Sequence, residues 1–119
     1  MTATAVPPST RRELARRARD AFPPMGVFVV RNLASGRARV KSSRNVPGAI
    51  NRLRFELGLG SHPDKTLQAE WNVVGPDGFA MDVLELVRQR EDAAFDYAGE
   101  LGFLEDLYRL ELEQQGGAR

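Results

Sequence analysis

Hydrophobic positions along the chain change period several times, and each change marks an element. "STRRELARRARDAF" reads as a helix over about 9 to 22, with Ser9 or Thr10 as N-cap and Leu14, Ala18, Ala21 and Phe22 on one stripe. Its other face collects Arg12, Arg16 and Arg19, and Pro23 and Pro24 stop it. From Gly26 the period shortens to two. Two strands follow, about 26 to 33 and 37 to 43, joined by "NLASG", whose Asn and Gly suit a hairpin loop. Alternation puts Arg37, Arg39 and Lys41 on one face of the second strand and Ala38, Val40 and Ser42 on the other.

The helical period returns at Pro47. Val46, Ala49, Ile50, Leu53 and Leu57 make an inward stripe that ends at Gly58 and Gly60, with Arg52, Phe55 and Leu59 on the other side and Arg54 at its border. A further helix spans about Asp64 to Val74, with Leu67, Trp71 and Val74 inward and Gly75-Pro76 as terminator. "FAMDVLELV", 79 to 87, alternates as a third strand, with Phe79, Met81, Val83, Glu85 and Val87 on one face. After an acidic loop, a last helix over about 98 to 114 presents Leu101, Leu104, Leu107, Tyr108 and Leu110 as a broad apolar face. The order αββααβα is that of an α+β domain. Residues 1–25 form a tail and basic helix, 26–114 the main domain and 115–119 a frayed tail.

Composition narrows the chemistry. A chain of 119 residues with 42% hydrophobic content supplies one modest core, and the absence of cysteine excludes disulfides, thiolate metal sites and thiol nucleophiles. No apolar run is long enough to span a membrane and the first residues lack a secretory h-region, so a cytoplasmic protein is expected. Residues 1–60 hold 12 Lys and Arg against 3 Asp and Glu, about +9, whereas the remainder holds 5 against 13, about −8. Either the halves attract each other within one fold, or the first half offers a basic surface to a polyanion.

From residue 26 to about 112 the chain resembles the GIY-YIG nuclease superfamily. "GVF" at 26–28 stands where that family has G-I-Y, and "RVK" at 39–41 where it has Y-I-G, followed by "SS" and "RN". Gly60, His62, Lys65, Leu67, Gln68, Trp71 and Asn72 match its G-x-H…K-x-L-Q segment, and "LEDLY" at 104–108 its last helix. The resemblance implies a three-stranded antiparallel sheet flanked by helices, here with an extra N-terminal helix. It also implies DNA as partner and one divalent cation, magnesium or manganese, which binds weakly without substrate. In the family one tyrosine helps activate water and a second supports it, an arginine stabilises developing charge and a glutamate ligates the metal.

Carried over, the first tyrosine becomes Phe28 and the second Arg39, which is no base at neutral pH. Lys41 replaces a glycine, and the helix arginine aligns with Ala49, with Arg52 one turn later. Glu105 stands as the metal ligand and His62 near the DNA path, the best of the few groups able to replace the missing base. The expected DNA-contacting set is Arg37, Arg39, Lys41, Arg44, Arg52, Arg54, His62 and Asn72. Taken alone, Glu105 reads equally as a boundary glutamate, His62 as a helix cap and the arginines as a solvated face. The readings that follow are a DNA-binding module with a degenerate catalytic centre, a working metal-dependent endonuclease, or a protein-interaction domain without nucleic acid. Phe55 and Leu59 would bury against the N-terminal helix or a second protomer.

Overall fold

The computed structural model describes residues 10–14 and 22–116. Counting α1, described over 10–14, the order is αββααβα. It continues with β1 (Gly26–Asn32), β2 (Ala38–Ser43), α2 (Val46–Leu59), α3 (Lys65–Val74), a 3₁₀ turn (Pro76–Gly78), β3 (Phe79–Leu86) and α4 (Tyr97–Gly116). Arg16, Arg19, Ala18 and Ala21, expected on the first helix, lie outside the described residues, as do both chain ends. Among the described residues, no helix is long and apolar enough to cross a membrane.

The three strands form an antiparallel sheet in the order β2-β1-β3. β1 takes the centre because it is the most apolar: Val27, Phe28, Val29 and Val30 are each no more than 2% exposed. A strand apolar on both faces needs cover on both. On one face Phe28 and Val30 pack with Val46, Leu53 and Leu57 of α2, Leu67 and Trp71 of α3, and Phe79. On the other, Val27 and Val40 pack with Met25, Val87 and Leu101 and Leu104 of α4.

Local capping explains the helix boundaries. Asn45 caps α2 by accepting from the Gly48 N–H at 3.1 Å, and Gly60, at φ +77°, closes it. The chain therefore carries α2 through Gly58 and stops it at Gly60. Asp64 caps α3, accepting from Thr66 and Leu67 at 3.1 Å each. His62, which the sequence offered as a cap, instead accepts a hydrogen bond from the Asp64 N–H.

Two expectations are corrected. The alternation of β3 is broken, because Val27 pairs with Glu85 and Phe28 with Val83, leaving Leu84 as an extra residue. Glu85 and Val87 consequently move to the α4 face, away from Phe79 and Met81: Glu85 accepts from Tyr108 Oη and Val87 joins Met25 and Val27. On α4 the packed stripe is Leu101, Leu104, Tyr108 and Leu112, whereas Leu107 and Leu110 are exposed. In the single chain Phe55 and Leu59 are 67% and 66% exposed.

The irregular pairing explains the glycine at the start of β1. A Cβ on Gly26 would stand 2.0 Å from the Glu85 carbonyl oxygen and 2.9 Å from Leu86 Cα, so the backbone of β3 occupies the space a side chain would need. Gly26→Ala is expected to cost about 2–3 kcal/mol in urea unfolding through forced strand separation. Amide exchange should lose protection at Val87, whose N–H donates to Met25 O beside the bulge, before it does so at Val30.

Candidate nucleic-acid interface

β2 is an edge strand, and its residues alternate between the two covered faces. Arg39 and Lys41, paired with Val30 and Phe28, share the face of α2 and α3; Val40 and Ser42, paired with Val29 and Val27, face α4. The cations that follow one another on β2 nevertheless have different environments.

Arg39 is drawn into the fold. Its Nη2 donates to Glu70 Oε2 at 2.9 Å and its Nη1 lies 3.4 Å from Oε1, a two-pronged grip, while Nε stands 3.6 Å from Asp64. Arg37 donates to Glu70 Oε2 at 3.2 Å, and buried Asn32 donates to Oε1 at 3.1 Å. Asn32 also accepts from Ala34 and Ser35, at 3.0 and 3.2 Å, and so shapes the hairpin loop from within. The Arg39 and Glu70 side chains are only 16% and 17% exposed. The hydrogen bond from Arg39 holds the Glu70 carboxyl below its usual range against the opposing effect of burial, with Asn32 and Arg37 assisting.

Lys41 makes no ion pair among the described residues, although its charge helps lower the carboxyls of both Asp64 and Glu105. It lines a depression of about 360 Å³ with Ser43, Asn45, Gly48, Ala49, Arg52, Glu56 and His62. It also borders a broader groove along the outer edge of β2, where Arg31, Arg39, Asp64 and Arg109 converge. Within the depression Arg52 is 80% exposed and its Nε donates to Glu56 Oε2 at 3.0 Å, leaving the rest of the guanidinium toward solvent.

His62 is buried, and its ring is fixed by its neighbours. Nδ1 accepts from the Asp64 N–H at 3.0 Å, so the neutral ring carries its proton on Nε2, which lies 3.9 Å from Glu56 Oε1. In that tautomer His62 offers the depression a donor and no lone pair with which to take a proton from water. Phe28, where the resemblance puts the first tyrosine, is 2% exposed within the core under α2 and α3.

Glu105 sits beside β2 on the α4 face. Oε1 accepts from Ser42 Oγ at 2.7 Å and Oε2 from Arg109 Nη2. Burial pushes this carboxyl up, but the hydrogen bonds from Ser42 and Arg109 and the charges of Arg109 and Lys41 outweigh it and leave it lowered. Among the described residues no three of His, Cys, Asp and Glu form a group able to hold a metal ion. One carboxylate with both oxygens engaged does not fit a resident divalent cation, which takes several oxygen ligands.

The fold thus brings together Lys41, Arg52 and His62, with Ala49 beside them, and ties Arg37 and Arg39 to Glu70. Arg44 and Arg54 are exposed, and Asn72 accepts from Gln68 Nε2 at 3.0 Å on the exposed side of α3. Sequence reading missed Asn45 and Glu56, the second recoverable from its i,i+4 spacing to Arg52. It also missed Arg31, whose place in the groove no local pattern announces.

Glu70→Gln is expected to lower stability at neutral pH by about 2 kcal/mol, since it leaves Arg39 without its carboxylate in a mostly buried position. The folded pKa of Glu70 is depressed, so its contribution is complete above the unfolded carboxylate pKa and is lost as pH falls through the folded one. Thermal melts from neutral to acid pH should therefore show the wild type and the variant converging in acid.

No family model and no curated protein matches the chain. Among solved structures, the catalytic domain of the homing endonuclease I-TevI superposes with a TM-score of 0.61 at 22% identity, over 75% of this chain and 88% of that one. A mutant of the I-TevI intron endonuclease catalytic domain gives 0.51 at 22% identity, over 66% and 84%. These likenesses, with the β2-β1-β3 sheet between two helical layers, establish that this chain has a GIY-YIG-like fold.

Proposed function

We propose that this domain binds DNA through its phosphates on a nuclease-like scaffold without hydrolysing it efficiently. The observation that carries the reading is the pairing of a cationic depression at Lys41 and Arg52 with a lining that offers no tyrosine hydroxyl and no free imidazole nitrogen, and whose carboxylate, Glu56, is held by Arg52 at 3.0 Å. Phe28 brings no hydroxyl, Arg39 is held by Glu70 and Asp64, and His62 has its Nδ1 engaged by a backbone N–H. What remains suits an anion. Lys41 supplies an unpaired charge, Arg52 free guanidinium donors and His62 its Nε2–H. The first turn of α2, with no acidic residue, adds the positive end of a helix dipole. Glu56 opposes a phosphate, but its charge is balanced by Arg52 at 3.0 Å.

A second reading, metal-dependent cleavage, draws on Glu105 beside β2 and on the nuclease-like fold. A divalent ion would have to arrive with substrate phosphate and displace Ser42 and Arg109 from the carboxylate. The I-TevI domains are homing or intron endonucleases; a shared fold does not transfer that activity.

Two assays separate these readings. Titration of labelled duplex, branched and single-stranded DNA is expected to give binding whose log affinity falls linearly with log salt. Lys41→Glu should flatten that slope by about one unit or more, because a phosphate contact is lost and a repulsive charge gained. Incubation with magnesium or manganese is expected to leave the DNA intact. Cleavage by the wild type that disappears in Glu105→Ala would favour the enzyme, and undetectable binding to all three DNAs at low salt would end the DNA reading.

A further inference from the structure

The apolar residues beside the depression have no role in holding a phosphate. On α2, Arg52, Phe55 and Leu59 fall at i, i+3 and i+7 and so share one outward face, continuous with the Arg52 wall of the depression. Phe55 and Leu59 are 67% and 66% exposed, and neither belongs to either core cluster. The helix of 14 residues fixes the backbone position from which this exposed ring projects. The ring presents an apolar plane within reach of a cation that already points to solvent.

We infer that Phe55, supported by Leu59, is a stacking platform for an unpaired base, and that the nucleic acid this surface takes is single-stranded or locally unpaired DNA in preference to perfect duplex. The inference rests on the phosphate reading of the depression. Its geometry follows from the helix: Arg52 and Phe55 lie on one face about 4.5 Å apart along the axis, less than the span of one nucleotide from its phosphate to its base. A strand whose phosphate lies at Arg52 and Lys41 therefore brings a neighbouring base to the ring. In intact duplex that base is paired and stacked, and its face is unavailable; in a single strand, bulge or branch it is free to stack on an aromatic side chain. Charge agrees with this occupant. Arg52 stands on the same face and Lys41 across the depression, so an exposed aromatic beside cations meets a polyanion carrying flat apolar rings.

The test compares wild type, Phe55→Ala and Phe55→Trp by fluorescence anisotropy on a labelled oligo-dT of about 20 nucleotides and on a duplex of the same length. The expected result is tighter binding of oligo-dT by the wild type, weakened about tenfold by Phe55→Ala. Phe55→Trp should retain it. Duplex affinity and both salt slopes should stay within about twofold, since no phosphate contact is lost. Equal weakening on both DNAs, or no change on oligo-dT, overturns the stacking platform while leaving phosphate binding intact. Failure of the wild type to bind either DNA defeats the underlying reading as well. Sedimentation supplies the other arm: a wild-type dimer that dissociates in Phe55→Ala would assign this face to a second copy of the chain instead. Because Phe55 is exposed, both variants should melt within a few degrees of wild type.

Discussion

The Glu70 carboxylate is the point on which the arrangement of the cationic edge depends. It stands on α3, yet its partners Asn32, Arg37 and Arg39 belong to the β1–β2 hairpin. One side chain therefore fastens the hairpin loop, the edge strand and a helix to each other. It also sorts the cations of β2, because a guanidinium committed to a mostly buried carboxylate contributes far less to an external field than one in solvent. Arg39 becomes part of the frame, and Lys41, two residues on, keeps its charge for the surface.

Beneath this lies the sheet. Its central strand is apolar on both faces, so α2 and α3 must cover one and α4 the other, and β2 is left as an edge with helices above and below. Charged side chains on an edge strand discourage pairing with another chain. They also stand on a strand that lies against both helical layers. Lys41 can influence Asp64 at the start of α3 and Glu105 on α4 for that reason.

The scaffold and its chemistry have separate physical requirements. A phenyl ring at Phe28 satisfies the core without a hydroxyl, and an arginine at 39 satisfies Glu70 without being a base. Packing and ion pairing can thus keep a GIY-YIG-like fold with a phenyl ring at 28 and an arginine at 39. The fold by itself does not fix the chemistry, because different atoms carry the two.

Much of this was legible in the order of the residues. Element sequence, the inward stripe of α2, Trp71 in the core and the common face of Arg39 and Lys41 all follow from local periodicity, which depends on neighbours in the chain. The opposite charges of the two halves were legible too, although not whether they would meet each other or a ligand. Tertiary structure decided that: Arg37 and Arg39 close on Glu70, 33 and 31 residues away, a choice no local window contains. It likewise set the bulge at Leu84, which arises from the register of β3 against β1 and turns Glu85 and Val87 to the other face. The tautomer of His62 was a third such outcome, because it depends on a backbone N–H that only the folded turn aims at Nδ1. Periodicity determines which side of its own element a residue occupies; the long-range contacts determine what it meets there.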